Sequence, residues 1–226
     1  MDAVLRRAVA PPSPDRRERL ARARLYLVIE AGPAAAVLEP ALAAGVDVVQ
    51  LRDKGASDGE IVRAGVRFRS ACDRHGALLV VNDRPDLALS CGADGVHIGQ
   101  DDGDLDEVRG LVGPDVLVGV STHTPEQVDA AVRSTADYLG VGPVRETTTK
   151  PGRAAVGLEL VRHAAAGSSK PFFAIGGIDA ATATAVVRAG AERIAVVRAI
   201  RDADDPAEAT RVLRALLDHA GAVAAV

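Results

Sequence analysis

Aromatic residues make up only 2% of this 226-residue chain: three Phe, two Tyr and no Trp. A core must therefore be built from Val, Ile, Leu and Ala, which suits the buried strands of a parallel α/β protein. Two cysteines, Cys72 and Cys91, are too few for a disulfide framework and fit a reducing compartment, so the expected location is the cytoplasm. No apolar run approaches the roughly 20 residues a membrane span requires. The N-terminal MDAVLRRAVAPPSPDRRERLARAR holds arginines but lacks the apolar segment of a secretory signal. A formal charge of −4 gives no electrostatic footprint for nucleic acid or a membrane surface.

What the chain does contain is regular alternation. Apolar runs occur at 25–29, 46–51, 78–81, 95–98, 116–120, 138–141, 172–175 and 194–197, each of strand length. Helical stretches lie between them. Ser57, Thr124-Pro125 and Asp179 mark helix starts, and Gly45, Gly76, Gly92 and Gly190 follow helix ends. Eight such units predict a single α/β domain, a closed (β/α)8 TIM barrel over 21–226 preceded by a short flexible extension, 1–20, with a short helix at 16–24. A doubly wound sheet is the competing architecture, but the segment after the first run, EAGPAAAV, lacks its glycine fingerprint.

In such a barrel the residues that follow each strand converge on one face. After the second run, QLRDK offers Arg52 and Lys54, two apart and on one side of an extended chain. Arg52 either grips a ligand anion or pairs with Asp53, and the sequence leaves both open. VVNDRPD supplies Asn82 and Asp83, with Asp86 expected to cap the next helix; HIGQDDGD supplies Gln100, Asp101 and Asp102. Asp83 and Asp102, on neighbouring strand ends, are candidates to share one Mg²⁺, a metal that takes one or two carboxylates plus water and phosphate oxygens. GVSTHT brings the Ser121 hydroxyl. His97 reads as a satisfied core histidine and His123 as a helix-start residue, because no carboxylate-oriented pair marks either as an acid–base catalyst.

The sixth run ends in GPVRETTTKPG, where Thr147, Thr149 and Lys150 supply hydroxyls and an ammonium suited to a phosphate. Segment 144–155 combines Gly, Pro and these hydroxyls as an active-site lid does. FFAIGG places Gly176 and Gly177 where bare amides can approach a ligand, and the loops after the seventh and eighth strands commonly bind a phosphate monoester. Two anion sites are thus expected: a metal-assisted one from strands two, three, four and six, and an amide cradle from strands seven and eight.

Taken in order, QLRDK, VVNDR, GADGVHIGQDD, GVSTHT, the Thr-x-Thr-Lys of TTTK, and AIGGI resemble thiamine phosphate synthase over about 25–200. The resemblance implies an Mg²⁺-dependent transferase of thiamine biosynthesis, joining 4-amino-5-hydroxymethyl-2-methylpyrimidine diphosphate to 4-methyl-5-(2-phosphooxyethyl)thiazole, with release of pyrophosphate. It implies substrate binding by Gln50, with Arg52, Lys54, Asn82 and Lys150 on the diphosphate, and Mg²⁺ on Asp83 and Asp102. Ser121 falls near the pyrimidine, Thr147 and Thr149 near the thiazole phosphate, and Gly177, Val197 and Arg198 complete that phosphate's cradle. Lys150, Arg52, Lys54 and Ser121 are the implied catalytic set. Two departures bear on the thiazole side: Arg145-Glu146 stand where the family has an aromatic-Pro pair, and Arg198 replaces a small hydroxyl residue. The alternatives are a thiazole tautomerase-like relative, a barrel that binds a phosphorylated ligand without catalysis and, less attractively, a sugar-phosphate epimerase. The expected partners are the two small-molecule substrates, and a homo-oligomer stays open.

Overall fold

A computed structural model describes residues 16–32, 34–146 and 154–224. Helix α1 (Arg16–Arg22) leads into strand β1 (Leu25–Ile29), and strand and helix then alternate. The order is α2 (Ala34–Ala43), β2 (Val48–Leu51), α3 (Asp58–His75), β3 (Leu78–Asn82), α4 (Pro85–Ser90), β4 (Gly95–Ile98) and α5 (Leu105–Val112). It continues with β5 (Leu117–Thr122), α6 (Pro125–Arg133), β6 (Tyr138–Val141), α7 (Gly157–Gly167), β7 (Phe172–Ile175), α8 (Ala180–Arg188) and β8 (Ile194–Val196). Helices α9 (Arg198–Arg201) and α10 (Pro206–Ala224) end the described chain. All neighbouring strands are parallel, and β8 pairs with β1, so the sheet closes into the expected (β/α)8 barrel.

Alternation along each strand divides the core in two, because successive side chains point to opposite faces. One set, including Leu25, Leu27, Ile29, Val49, Leu79 and Val118, packs outward against the helices. The other fills the barrel: Tyr26, Val28, Val48, Leu78, Val80, Leu117, Tyr138, Phe173 and Ala195. Leu20 of α1 and Ala23 join this inner set. The helix at 16–22 therefore closes the end of the barrel away from the strand C-termini.

The expected punctuation has visible hydrogen bonds. Thr124 Oγ1 accepts from the Gln127 amide and Asp179 Oδ1 from the Thr182 amide, while Ser57 donates its amide and hydroxyl to Glu60 Oε2. Asp86 differs from its expectation. Arg84 is the residue at the N-cap of α4, Pro85 follows, and Asp86 lies in the first turn, where its carboxylate accepts from Arg84. Proline at the first helical position sets the boundary two residues earlier than an Asp86 cap would.

A recurring acid anchors the strand starts. Asp47, Asp94 and Asp137 immediately precede β2, β4 and β6. Asp47 Oδ2 accepts the amides of Arg24 and Leu25, Asp94 Oδ2 that of Leu79, and Asp137 Oδ2 that of Val118. Each carboxylate also meets a guanidinium from the helical shell: Arg214, Arg69 and Arg109 respectively. Helix α1 adds Arg16 to Asp94 and Arg17 to Asp137, and Arg19 donates to the carbonyls of Gly76 and Ala77. No helix among the described residues is long and apolar enough to cross a membrane.

Candidate active site

At the C-terminal ends of the strands lies a cavity of about 400 Å³. Its wall is built by the inward-facing residues nearest those ends. Gln50 and Arg52 come from β2 and its exit, Asn82 from β3, Ser121 from β5, Ile175 from β7, and Val197 with Arg198 from the exit of β8. Gly176 and Gly177 line it as well, with Gly177 at φ 65°, a left-handed conformation glycine adopts without penalty. Gln50, Arg52, Asn82, Ser121, Gly177, Val197 and Arg198, separated by up to about 150 positions of sequence, thus share one hollow.

The floor is polar and ordered. Gln50, 4% exposed, donates from Nε2 to Asn82 Oδ1 at 3.0 Å, which orients both amides. Gln100 Nε2 donates to the Ser121 carbonyl at 2.6 Å. His97 lies between Tyr138 and Ser121, with Nδ1 3.2 Å from the phenol oxygen and Nε2 3.0 Å from Ser121 Oγ. It is a satisfied histidine, and it also lines the cavity. His123 lines the cavity too; its ring Nδ1 lies against the Gly142 carbonyl, one residue before the Thr124 cap.

Lys54 and the two candidate metal ligands sit outside the cavity wall. Lys54 is exposed, with Nζ 3.8 Å from Asp83 Oδ2. Asp83 has φ 60°, and the Arg84 amide reaches back to the Asn82 carbonyl at 2.8 Å, so the chain reverses at Asp83 within three residues. The Asp83 amide donates to the His97 carbonyl, tying this turn to β4. Arg84 beside it is held by Asp58 and Asp86, whose carboxyl pKa values its guanidinium lowers. Asp102 Oδ2 accepts from the Gly99 amide at 2.9 Å. Among the described residues no group of three or more acidic, His or Cys side chains is placed to hold a metal by itself. Two hard carboxylates on adjacent strand exits match the donor set of Mg²⁺, which completes its shell with water and phosphate oxygens.

Thr147, Thr149 and Lys150 lie outside the described residues. The backbone leading to them packs on the seventh strand exit: the Val144 amide donates to the Ile175 carbonyl and the Arg145 amide to that of Gly176. Arg145 and Glu146, like Arg198, are exposed. Two cavity residues that motif reading passes over are Tyr26 and Tyr138, the only tyrosines in the chain, both inside strands. Burial, more than any neighbour, raises the pKa of both phenols and keeps them protonated.

Comparison with known proteins agrees with this geometry. Residues 25–200 match the family described as thiamine monophosphate synthase. The thiamine-phosphate synthase of Gloeobacter violaceus is 55% identical over 87% of this chain and 58% of its own length. That of Acidothermus cellulolyticus is 52% identical over 88% of this chain and 96% of its own. Among solved structures, a thiamine phosphate pyrophosphorylase from Pyrococcus furiosus superposes with a TM-score of 0.82 at 31% identity, covering 90% of this chain and 98% of that one. With identities of this size across the barrel and its strand exits, the chain belongs to the thiamine monophosphate synthase family.

Proposed function

We propose that this member of the thiamine-phosphate synthase family makes thiamine phosphate by a dissociative condensation in the cavity at the strand C-termini. The observation that carries the reading is the convergence of Gln50, Arg52, Asn82, Ser121, Gly177 and Arg198 on that single hollow. The substrates are the aminopyrimidine diphosphate and the thiazole phosphate.

In the first step the bond between the pyrimidine methylene carbon and the diphosphate oxygen breaks, and its electron pair leaves with pyrophosphate. The aminopyrimidine ring spreads the resulting positive charge. The thiazole nitrogen then donates its lone pair to the methylene carbon, forming the C–N bond without releasing a proton. No general base is required, which suits a site where His97 and His123 are engaged with a phenol, a hydroxyl and a backbone carbonyl. The work of the protein is orientation of two rings and stabilisation of charge on the departing diphosphate. Arg52, Asn82, Lys54 and Lys150 take the diphosphate, and Gln50 and Ser121 face the pyrimidine. Gly177 and the backbone at Val197 and Arg198, with Thr147 and Thr149, hold the thiazole phosphate. Mg²⁺ on Asp83 and Asp102 would neutralise part of the diphosphate charge when bound. The two cysteines are buried and unpaired thiols, and burial pushes the Cys72 pKa up to about 12, a state that fits a reducing cytoplasm.

The test is incubation of the purified protein with both substrates and Mg²⁺, following pyrophosphate release and thiamine phosphate formation together. Equimolar formation of both is the expected result. Isomerisation of a thiazole precursor without pyrophosphate release would establish the tautomerase alternative, and binding without turnover would establish the non-catalytic one. Lys150→Ala is expected to lower turnover at least about a hundredfold, the usual consequence of losing a charge-stabilising contact.

A further inference from the structure

At the base of the cavity, Tyr26 of β1 and Tyr138 of β6 are 3% and 1% exposed, with hydroxyl oxygens 3.1 Å apart. Tyr138 reaches His97 Nδ1, and His97 Nε2 reaches Ser121 Oγ. Four polar groups thus run in a line from the apolar interior of the barrel to its cavity. The backbone makes room for them. A Cβ on Gly119 would lie 2.1 Å from Tyr138 Cζ and 2.6 Å from His97 Nδ1, and one on Gly140 would lie 3.2 Å from His97 Cε1. Hydroxyls in an interior of Val, Leu and Ala are costly to bury, so the line calls for a use.

Counting hydrogens gives it a direction. A phenol, a neutral imidazole and a serine hydroxyl each have one hydrogen to donate. Among the described residues the Tyr26 hydroxyl has a single hydrogen-bond partner, Tyr138. If Tyr138 donated to Tyr26, the Tyr26 hydrogen would be left without an acceptor in a buried place, the more expensive arrangement. Tyr26 therefore donates to Tyr138, and Tyr138 donates to His97 Nδ1. The imidazole hydrogen then sits on Nε2 and is donated to Ser121 Oγ, leaving the hydrogen of Ser121 to point onward.

We propose that Tyr26, Tyr138 and His97 are positioning residues that fix the Nε2–H tautomer of His97 and present the Ser121 hydroxyl to the pyrimidine substrate as a hydrogen-bond donor. The inference rests on the placement of the pyrimidine beside Ser121. The line selects a ligand with an acceptor, such as a ring nitrogen, at that point and disfavours one that presents a donor there.

Two measurements on the full chain test it. Nitrogen NMR of ¹⁵N-histidine-labelled protein, with the His97 signals assigned through a His97→Gln variant, should show hydrogen on Nε2 and a bare Nδ1. Hydrogen on Nδ1 would overturn the proposal whatever the activity. In the kinetic measurement, Tyr138→Phe should lower kcat/KM for the pyrimidine diphosphate about five- to tenfold, the size of one neutral hydrogen bond, and leave the KM for thiazole phosphate unchanged. In a Ser121→Ala background the same change should cost nothing further, since its effect passes through the missing hydroxyl. Equal losses in both backgrounds would mark Tyr138 as merely structural. A Ser121→Ala enzyme with full activity would instead refute the pyrimidine placement, and the NMR result would still report on the tautomer.

Discussion

Asp83 combines a backbone cost with a proposed chemical role, and substitution can separate the two. Its φ of 60° is a left-handed conformation that disfavours residues with a Cβ by about 1–2 kcal/mol, although Asp and Asn are tolerated better than most. Asp83→Asn is expected to keep the turn and the stability, while removing the charge of the proposed metal ligand and lowering Mg²⁺-dependent turnover at least about tenfold. Asp83→Gly should be at least as stable as Asp83→Ala, by about 1 kcal/mol, with both showing the same activity loss. Urea denaturation midpoints and turnover against Mg²⁺ concentration check these outcomes. An Asn variant with unchanged turnover would take the carboxylate out of the mechanism. Legibility at this scale was uneven. Asp83 and Asp102 stood out because they follow strands, and Ser121 because it ends one. Tyr26 and Tyr138 were visible only as strand formers, since what they do depends on a contact 112 positions apart across the inside of a closed barrel.

Helices and strands were legible to within a residue or two because buried parallel strands are short apolar runs bounded by caps and glycines. Strand β1 has the expected ends; β2 and β5 each begin later, after Asp47 and Val116. What the pattern could not show is the service of Asp47, Asp94 and Asp137 at the strand starts. Their arginine partners come from helices up to 167 positions away, and an acid at the start of a strand looks like ordinary turn composition. Asp94 is the most heavily used, meeting Arg16, Arg19 and Arg69 while 5% exposed. Burial acts to raise its pKa, but hydrogen bonds from Arg69 and the Leu79 amide outweigh it and hold the carboxyl below its ordinary value. A pKa lower in the folded than in the unfolded chain contributes stability above the unfolded value, near 4, that is lost as pH falls through the folded one. Asp94→Asn is therefore expected to destabilise the protein by about 3 kcal/mol at neutral pH, as breaking a buried pair does. Its stability should also vary less with pH below about 4 than that of the wild type. Denaturation curves between neutral and acidic pH read both effects, and parallel pH profiles would show that Asp94 is not the linked group.

At the scale of the whole molecule, eight strands from sequence-distant segments bring two arginines, two side-chain amides, a hydroxyl and a glycine turn to a common cavity, with two carboxylates at adjacent strand exits. That convergence follows from eight strand–helix units, whose strand exits face one end of a closed barrel. The side proposed for the thiazole phosphate was less legible, because Arg145 and Arg198 are both exposed, so their charges are screened by water. The convergence has a thermodynamic consequence that does not depend on catalysis. A ligand that binds only the folded barrel stabilises it by RT ln(1 + [L]/Kd), about 2.7 kcal/mol at a hundredfold excess over Kd. For a chain of this length that amounts to a rise in Tm of about 5 °C or more. Pyrophosphate with Mg²⁺ is expected to produce such a rise, and pyrophosphate with a chelator a much smaller one. Arg52→Ala should abolish most of the shift, because Arg52 is the cavity-wall guanidinium proposed to take the diphosphate. A shift equal with and without the metal would remove Asp83 and Asp102 from the anion site. No shift in either condition would mean that the cations at the strand exits do not act on a common ligand, and the proposed departure of pyrophosphate would lose its support.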